Sequence, residues 1–263
     1  MDKPYQIGAD TIILPSHFPI PGMGFLPCNA YVIKAAEPVL VDTGLGIDSE
    51  EFMKALASVI DPQDLKWVCI THDDADHLGS IQKVLEAAPN ALLATNAVTA
   101  LRMSTSWQVP MNRVYCLNPG ESISVGDRKL TAFKPPLFDN PTTIGFYDDR
   151  SSAVYSADLF GAILPSPAPN LDEVSEEALA QGQVLWATVD APWIHFTDQN
   201  KFRSRLDAFR QAAPGMIFSS HLPPAQGKTE QFLRTLATAP NAEPFVPPNQ
   251  AALEQIMAQT AST

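Results

Sequence analysis

The chain has 263 residues, 45% hydrophobic and 17% charged, a globular composition with enough length for a sizeable core rather than a disordered one. Its formal net charge of −12 argues against nucleic acid or an anionic membrane as partner, because both would repel it. The N-terminal MDKPYQIGAD lacks a basic stretch followed by an apolar one, and no run is long enough to span a bilayer, so a cytoplasmic protein is expected.

Short apolar runs dominate the first seventy positions. Thr11 to Leu14, Ala30 to Lys34, Val39 to Val41 and Trp67 to Thr71 read as strands. Between Asp48 and Ile60 the apolar residues fall at helical spacing, with Asp48 or Ser49 as cap. A helix is expected after His77, with Leu78, Ile81, Val84 and Leu85 on one face and Pro89 at its end. A strand (Ala91 to Ala94) and a helix (Asn96 to Ser104) follow.

Strands return at Val114 to Leu117, Ser122 to Val125, Lys129 to Phe133, Thr143 to Tyr147 and Ala153 to Tyr155. Helices are expected over Asp172 to Trp186 and Asp198 to Ala212, the second with Lys201, Arg203, Arg205 and Arg210 on its wet face. A buried strand, Met216 to Ser219, precedes two last helices, Thr229 to Ala239 and Gln250 to Gln259. The Pro-rich stretches Leu164 to Pro169 and Pro244 to Pro248 read as extended surface connections. Two sheets packed face to face with helices outside satisfy this order, in one domain over residues 1–263.

The three cysteines, Cys28, Cys69 and Cys116, are far apart and odd in number, which argues against a disulfide framework. Their apolar neighbours, as in Val68-Cys69-Ile70 and Tyr115-Cys116-Leu117, lead us to expect all three as buried thiols.

Chemistry concentrates in Ile70-Thr71-His72-Asp73-Asp74-Ala75-Asp76-His77-Leu78-Gly79, between a buried strand and a helix. A capped helix start would account for acids there through the helix dipole. It would not account for two of the chain's five histidines flanking them. Alternate residues of an extended loop point one way, so His72, Asp74 and Asp76 can converge while His77 serves a neighbouring metal. Carboxylate and imidazole together suit Fe, Mn or Zn. Asp139, Asp158 and His221 are the further candidates, and the last two follow apolar strands as His72 does. Asn140 competes with Asp139. Asp42, in Val41-Asp42-Thr43-Gly44, bonds the metal loop or a ligand imidazole, or else makes an Asx-turn. His195 either lines the pocket or is a packed or surface histidine. The loop around His17, through Gly24, is either a lid or a surface loop.

Val41 to Gly44, His72 to His77, Asp139, Asp158 and His221, in that order, resemble the successive motifs of the metallo-β-lactamase superfamily over about 180 residues. The resemblance implies a four-layer αββα sandwich. It also implies a first metal held by His72, Asp74, Asp139 and Asp158, and a second by Asp76, His77 and His221, with Asp158 bridging. The common hydrolase pattern has histidine where Asp74 and Asp139 stand. A carboxylate at the first place is similar to the flavodiiron and oxygen-binding diiron branch, which carries glutamate there, one methylene longer. Carboxylates at both are similar to a diiron β-hydroxylase.

Four aspartates cancel the charge of two divalent ions, weaken them as Lewis acids toward water and stabilise a ferric state. This favours a diiron protein that binds, reduces or uses dioxygen or nitric oxide, an oxidoreductase with two iron ions. No flavodoxin-length segment remains in the sequence, so the resemblance implies a separate electron donor. The alternatives are a Zn or Mn metallo-hydrolase of an ester, thioester or phosphoester, with Asp76 the candidate catalytic residue, and a metal-containing sensor without turnover. The sequence names no organic substrate and no oligomeric state.

Overall fold

The strands in chain order are β1 (Tyr5–Ile7), β2 (Thr11–Leu14), β3 (His17–Ile20), β4 (Gly24–Pro27), β5 (Ala30–Ile33), β6 (Val39–Val41), β7 (Trp67–Cys69), β8 (Leu92–Thr95) and β9 (Val114–Cys116). They continue as β10 (Ser122–Ser124), β11 (Lys129–Phe133), β12 (Gly145–Asp148), β13 (Ala153–Tyr155), β14 (Met216–Phe218) and β15 (Ala225–Gln226). The helices are α1 (Ser49–Val59), α2 (Ala75–Leu78), α3 (Ile81–Ala87), α4 (Ala97–Met103), α5 (Glu176–Asp190), α6 (Gln199–Gln211), α7 (Thr229–Leu236) and α8 (Gln250–Thr260). This is a computed structural model, and it describes residues 1–260.

One sheet has the order β1-β2-β5-β6-β7-β8-β9, the other β10-β11-β12-β13-β14-β15. The first is antiparallel from β1 to β6 and parallel from β6 to β9. In the second only β13 and β14 run parallel. Strand alternation sets the layers. Val39, Val41, Trp67 and Cys69 point inward to meet Leu130, Phe146, Tyr155 and Phe218 of the second sheet. Leu40, Val68 and Ile70 point the other way, onto Phe52 of α1, Val84 of α3 and Ala100 of α4. Behind the second sheet, Val154 and Ile217 pack on Leu179, Leu206 and Phe232 of α5, α6 and α7. The result is the expected αββα sandwich. Strands buried on both faces give the sequence its unbroken apolar runs there.

Local differences from the sequence reading have local causes. The segment from His17 is a β-hairpin, β3 paired with β4, rather than an irregular loop. Its Gly/Pro punctuation masks the strand pattern. The helix expected after His77 is two, interrupted at Gly79 and Ser80. A Cβ on Gly79 would lie 2.1 Å from the Gly46 nitrogen, so only glycine lets the metal loop press against residues 44–46. Helix α5 starts at Glu176, not Asp172, because the Ser175 hydroxyl caps it by accepting from Ala178 N at 3.2 Å. Asp48 precedes α1 without capping it, and its carboxylate accepts instead from Ser16 Oγ at 2.5 Å.

Cys28 and Cys69 are buried as expected, but Cys116 is exposed, since β9 is an edge strand with one side open. Lys201, Arg203, Arg205 and Arg210 lie on the exposed face of α6. No helix among the described residues is long and apolar enough to cross a membrane.

Candidate metal centre

The seven expected donors come from four chain segments that end at one rim of the sandwich. The parallel neighbours β6 and β7 both run out at this rim. After β6, residues 42–46 clamp the metal loop: Thr43 N and Thr43 Oγ1 both donate to His77 O at 2.8 Å, and Gly79 N donates to Gly44 O at 2.9 Å. After β7 come His72, Asp74, Asp76 and His77. Asp74 stands at the start of α2 in extended conformation and makes no capping bond, which leaves its carboxylate for the site. On the second sheet, the parallel pair β13 and β14 places Asp158 beside His221, and Ser220 N donates to Ala157 O at 2.9 Å. Asp139 arrives on the connection between β11 and β12. Lys134 holds that connection by donating to Pro141 O at 2.8 Å and Thr143 O at 3.0 Å.

Asp158 is the hub. Its Oδ2 lies 3.1 Å from His72 Nε2, and its Oδ1 lies 2.9 Å from His77 Nε2 and 3.0 Å from His221 Nε2. Asp74 Oδ2 and Asp139 Oδ1 each lie 3.9 Å from His72 Nε2. Asp76 Oδ2 lies 3.7 Å from His77 Nε2 and 3.4 Å from His221 Nε2. The donors thus fall into two groups, one around each oxygen of Asp158. The shorter reach of Asp74 suffices to bring it into the first group.

Each imidazole is oriented from behind. His77 Nδ1 donates to Asp42 Oδ2 at 2.9 Å and His221 Nδ1 to Pro27 O at 2.6 Å. Thr71 Oγ1 donates to Asp42 and accepts from His72 Nδ1 at 3.0 Å. Asp42 also accepts from Thr71 N at 2.9 Å, so this one buried carboxylate fixes the loop backbone and two imidazoles. Asp42 adopts φ 56, a left-handed conformation that aims its side chain under the loop. With the protons on Nδ1, the three Nε2 lone pairs face carboxylate oxygens at 2.9–3.1 Å. Acceptor against acceptor at that distance is repulsive unless a cation lies between. His72 Nε2, His77 Nε2, Asp139 Oδ1 and Asp158 Oδ1 are buried with no hydrogen-bond partner among the described residues. The donor set therefore fits a pair of cations.

Without cations, protons take their place. Burial alone lowers the His77 and His221 pKa values, but the surrounding carboxylates outweigh it and carry both well above the usual range. Burial tends to raise Asp158, yet His72, His77 and His221 hold it well below an ordinary carboxylate. Burial, and then the Asp158 charge, push Asp139 up to about 7. The imidazoles and Asp158 are closed off, whereas the side chains of Asp74 (40% exposed), Asp76 (27%) and Asp139 (19%) form the open side of the site.

Two residues at this rim escaped the sequence reading. Asp190, the last residue of α5, has a carboxylate oxygen within 4.8 Å of those of Asp139 and Asp158. Burial, then repulsion by Asp158 and Asp139, push its pKa well up. The Cys28 sulfur likewise lies within 4.8 Å of an Asp76 oxygen and a His221 nitrogen. Neither carries a motif, because an aspartate at a helix end and a cysteine after a strand look ordinary in sequence. Asn140 does not replace Asp139: its Nδ2 donates to Asp73 Oδ1 at 2.9 Å and Asp74 Oδ1 at 3.0 Å, bracing the metal loop. His195 sits in the turn Pro192–Phe196, and His17 pairs with Asp2 at 3.4 Å beside a cavity of about 400 Å³. Neither belongs to the described clusters of donors.

Asp42→Asn tests the support beneath the loop. An amide cannot accept from both Thr71 and His77 as the carboxylate does, and its NH2 would face the His77 N–H. Metal affinity is expected to fall about 10–100-fold, read by competition with a chelator, with the fold retained by circular dichroism.

The chain is similar in sequence and fold to known proteins. The chain is 27% identical over 169 residues to an anaerobic nitric oxide reductase flavorubredoxin of Enterobacter, a match covering 63% of this chain and 35% of that protein. It is 24% identical over 151 residues to a rubredoxin-oxygen oxidoreductase of Megalodesulfovibrio gigas, covering 57% of this chain and 38% of that one. The solved structure of rubredoxin oxygen:oxidoreductase from Desulfovibrio gigas superposes with a TM-score of 0.79 at 17% identity, over 92% of this chain and 63% of that chain, which shows the shared fold. The chain thus spans little more than a third of these two curated relatives. The model of the family described as ODP family beta lactamase matches residues 26–221, three quarters of the sequence and every strand-end donor described above, and the chain belongs to that family.

Proposed function

We propose that residues 1–263 act as one metallo-β-lactamase-like domain whose centre holds two iron ions and binds and reduces dioxygen or nitric oxide. Electrons would come from a separate donor, as the name of the rubredoxin-oxygen oxidoreductase suggests for that protein. The observation that carries this reading is the donor set: four carboxylates and three imidazoles divided around the two oxygens of Asp158. His72, Asp74, Asp139 and Asp158 would hold the first ion, and Asp76, His77, His221 and Asp158 the second. Four negative charges balance two divalent ions, and the hard oxygens favour iron over a zinc centre poised for hydrolysis.

Two irons would supply the redox change. The chain supplies position and protons. Asp158 couples the two sites through one rigid carboxylate. Asp42, Thr71 and Pro27 keep each Nε2 aimed inward. Trp186 covers His221, with ring centroids 4.8 Å apart, and its Nε1 donates to Asp158 O at 3.3 Å, shielding the closed side from water. Asp190, its pKa pushed well up by burial, has a carboxylate oxygen within 4.8 Å of those of Asp139 and Asp158, and it would be the group placed to pass on the protons that reduction of a diatomic molecule consumes.

Protein purified without added metal is expected to carry two irons per chain. Its visible spectrum should change on anaerobic reduction and return with air or nitric oxide, while the gas is consumed in the presence of a chemical reductant. A protein that retains only zinc, has a featureless spectrum and turns over esters in a manner lost in Asp76→Ala would instead be a metallo-hydrolase. Loading with metal but no turnover of gas or ester would leave a sensor.

A further inference from the structure

Cys28 lies in the short connection between β4 and β5, and that connection is strapped along residues 220–222. Pro27 O accepts from His221 Nδ1 at 2.6 Å, Asn29 N donates to Ser220 O at 2.8 Å, and Asn29 Nδ2 donates to Leu222 O at 2.9 Å. Cys28 N itself donates to Ser16 O at 2.8 Å. The backbone on both sides of the thiol is therefore fixed against the strand end that carries His221. The side chain is buried, 2% exposed. Its sulfur, a carboxylate oxygen of Asp76 and an imidazole nitrogen of His221 all lie within 4.8 Å of one another. The thiol makes a long hydrogen bond to Leu26 O at 3.6 Å and also interacts with the His221 imidazole, and a thiol is a weak donor. The two residues that share its cluster lead on to two unpartnered buried atoms: Asp158 Oδ1 lies 3.0 Å from His221 Nε2 and 2.9 Å from His77 Nε2, and Asp76 Oδ2 lies 3.7 Å from that same His77 nitrogen.

We propose that Cys28 is a sulfur donor to the second metal, completing the set Asp76, His77, His221 and Asp158. This rests on the two-metal reading of the same site. On binding, the S–H bond breaks, its proton passes to solvent, and the sulfur lone pair forms the bond to the cation, with no change of oxidation state. A thiolate is a soft donor, whereas the first position offers three carboxylates and one imidazole. The two positions then differ in kind. The second is the softer of the two, and an iron or cobalt ion placed there would carry a sulfur-to-metal absorption band.

X-ray absorption at the zinc edge, on the full chain loaded with zinc to two ions, tests this without any substitution. One sulfur for every two zinc ions, at about 2.3 Å and distinct from the nitrogen and oxygen shell at about 2.0–2.2 Å, is the expected result. Cobalt-loaded protein should show a near-ultraviolet sulfur-to-cobalt band that persists in Cys116→Ser and disappears in Cys28→Ser and Cys28→Ala. In the Cys28 variants the second metal should bind at least tenfold more weakly. Two zinc ions with only nitrogen and oxygen neighbours would overturn the sulfur donor and leave the two-metal site standing. A wild-type chain that binds no metal would overturn the two-metal reading itself, and the sulfur assignment with it.

Discussion

Asp158→Asn is expected to lose both metals, whereas Asp139→Asn loses one. The asymmetry follows from geometry. Asp158 is the only donor whose two oxygens each approach a different group of imidazoles, Oδ2 toward His72 and Oδ1 toward His77 and His221. An amide offers one neutral oxygen and an NH2 group that repels a cation, so it weakens both positions together. Asp139 approaches only the first group, at 3.9 Å from His72 Nε2, from the half-open side of the site. The loss at each affected position should exceed the 10–100-fold that removal of an outer hydrogen-bond partner costs, because a direct ligand is removed. Metal per chain after dialysis, measured by elemental analysis beside circular dichroism, gives the answer. Asp158→Asn protein that keeps one tightly held ion would show that the two positions do not share this carboxylate.

Arg128→Met should destabilise the fold by about 3–5 kcal/mol without lowering metal content, since it strands the buried Asp148 carboxylate far from the donors. The Arg128 guanidinium is buried. It donates to Asp148 Oδ2 at 3.0 Å, Asp10 Oδ2 at 2.5 Å and both oxygens of Asp127 at 3.1–3.2 Å. These partners belong to the turn between β1 and β2, the turn between β10 and β11, and the end of β12, so one side chain ties the two sheets at a corner. The side chain of Asp148 is fully enclosed, and removing its counter-charge leaves a buried charge unpaired. For a chain of this size the melting temperature should fall on the order of 10 °C. The double variant Arg128→Met with Asp148→Leu should recover part of the loss, because burying neither charge costs less than burying one.

The pH dependence has a definite sign. The hydrogen bond from Arg128 is the main cause that holds Asp127 down to about 2. A carboxylate depressed in the fold stabilises it above its unfolded pKa of about 3.9 and loses that contribution as pH falls through about 2. The stability advantage of wild type over Arg128→Met should therefore narrow between about pH 4 and pH 2. An advantage that stays constant across that window would show that the cluster does not act through charge.

The sequence by itself determined the layers and the seven candidate donors. Buried strands such as Val39–Val41 and Trp67–Cys69 are legible because both faces are apolar, and His72 to His77 is legible because so many donors rarely crowd into so short a loop by chance. Asp158 and His221 could be named because each follows an apolar run that ends at the same rim. What the tertiary structure decided is everything that depends on partners distant in the chain. Asp42 could be read as a support of the metal loop or as a turn residue, and only the convergence of Thr71 and His77 on it decides for the support. Arg128 and Asp148 carry no mark in the sequence of the pair that the two sheets close over. Cys28 and Asp190 are commonplace residues at the ends of ordinary elements, and only folding brings them to the donors. Cys116 has the same apolar neighbours as a buried thiol but stands exposed, since whether a strand lies at the edge of a sheet is a property of strand order. Periodicity and residue chemistry are local and survive in a string of letters. Which side chain faces which across two sheets is fixed by packing, and the string does not hold it.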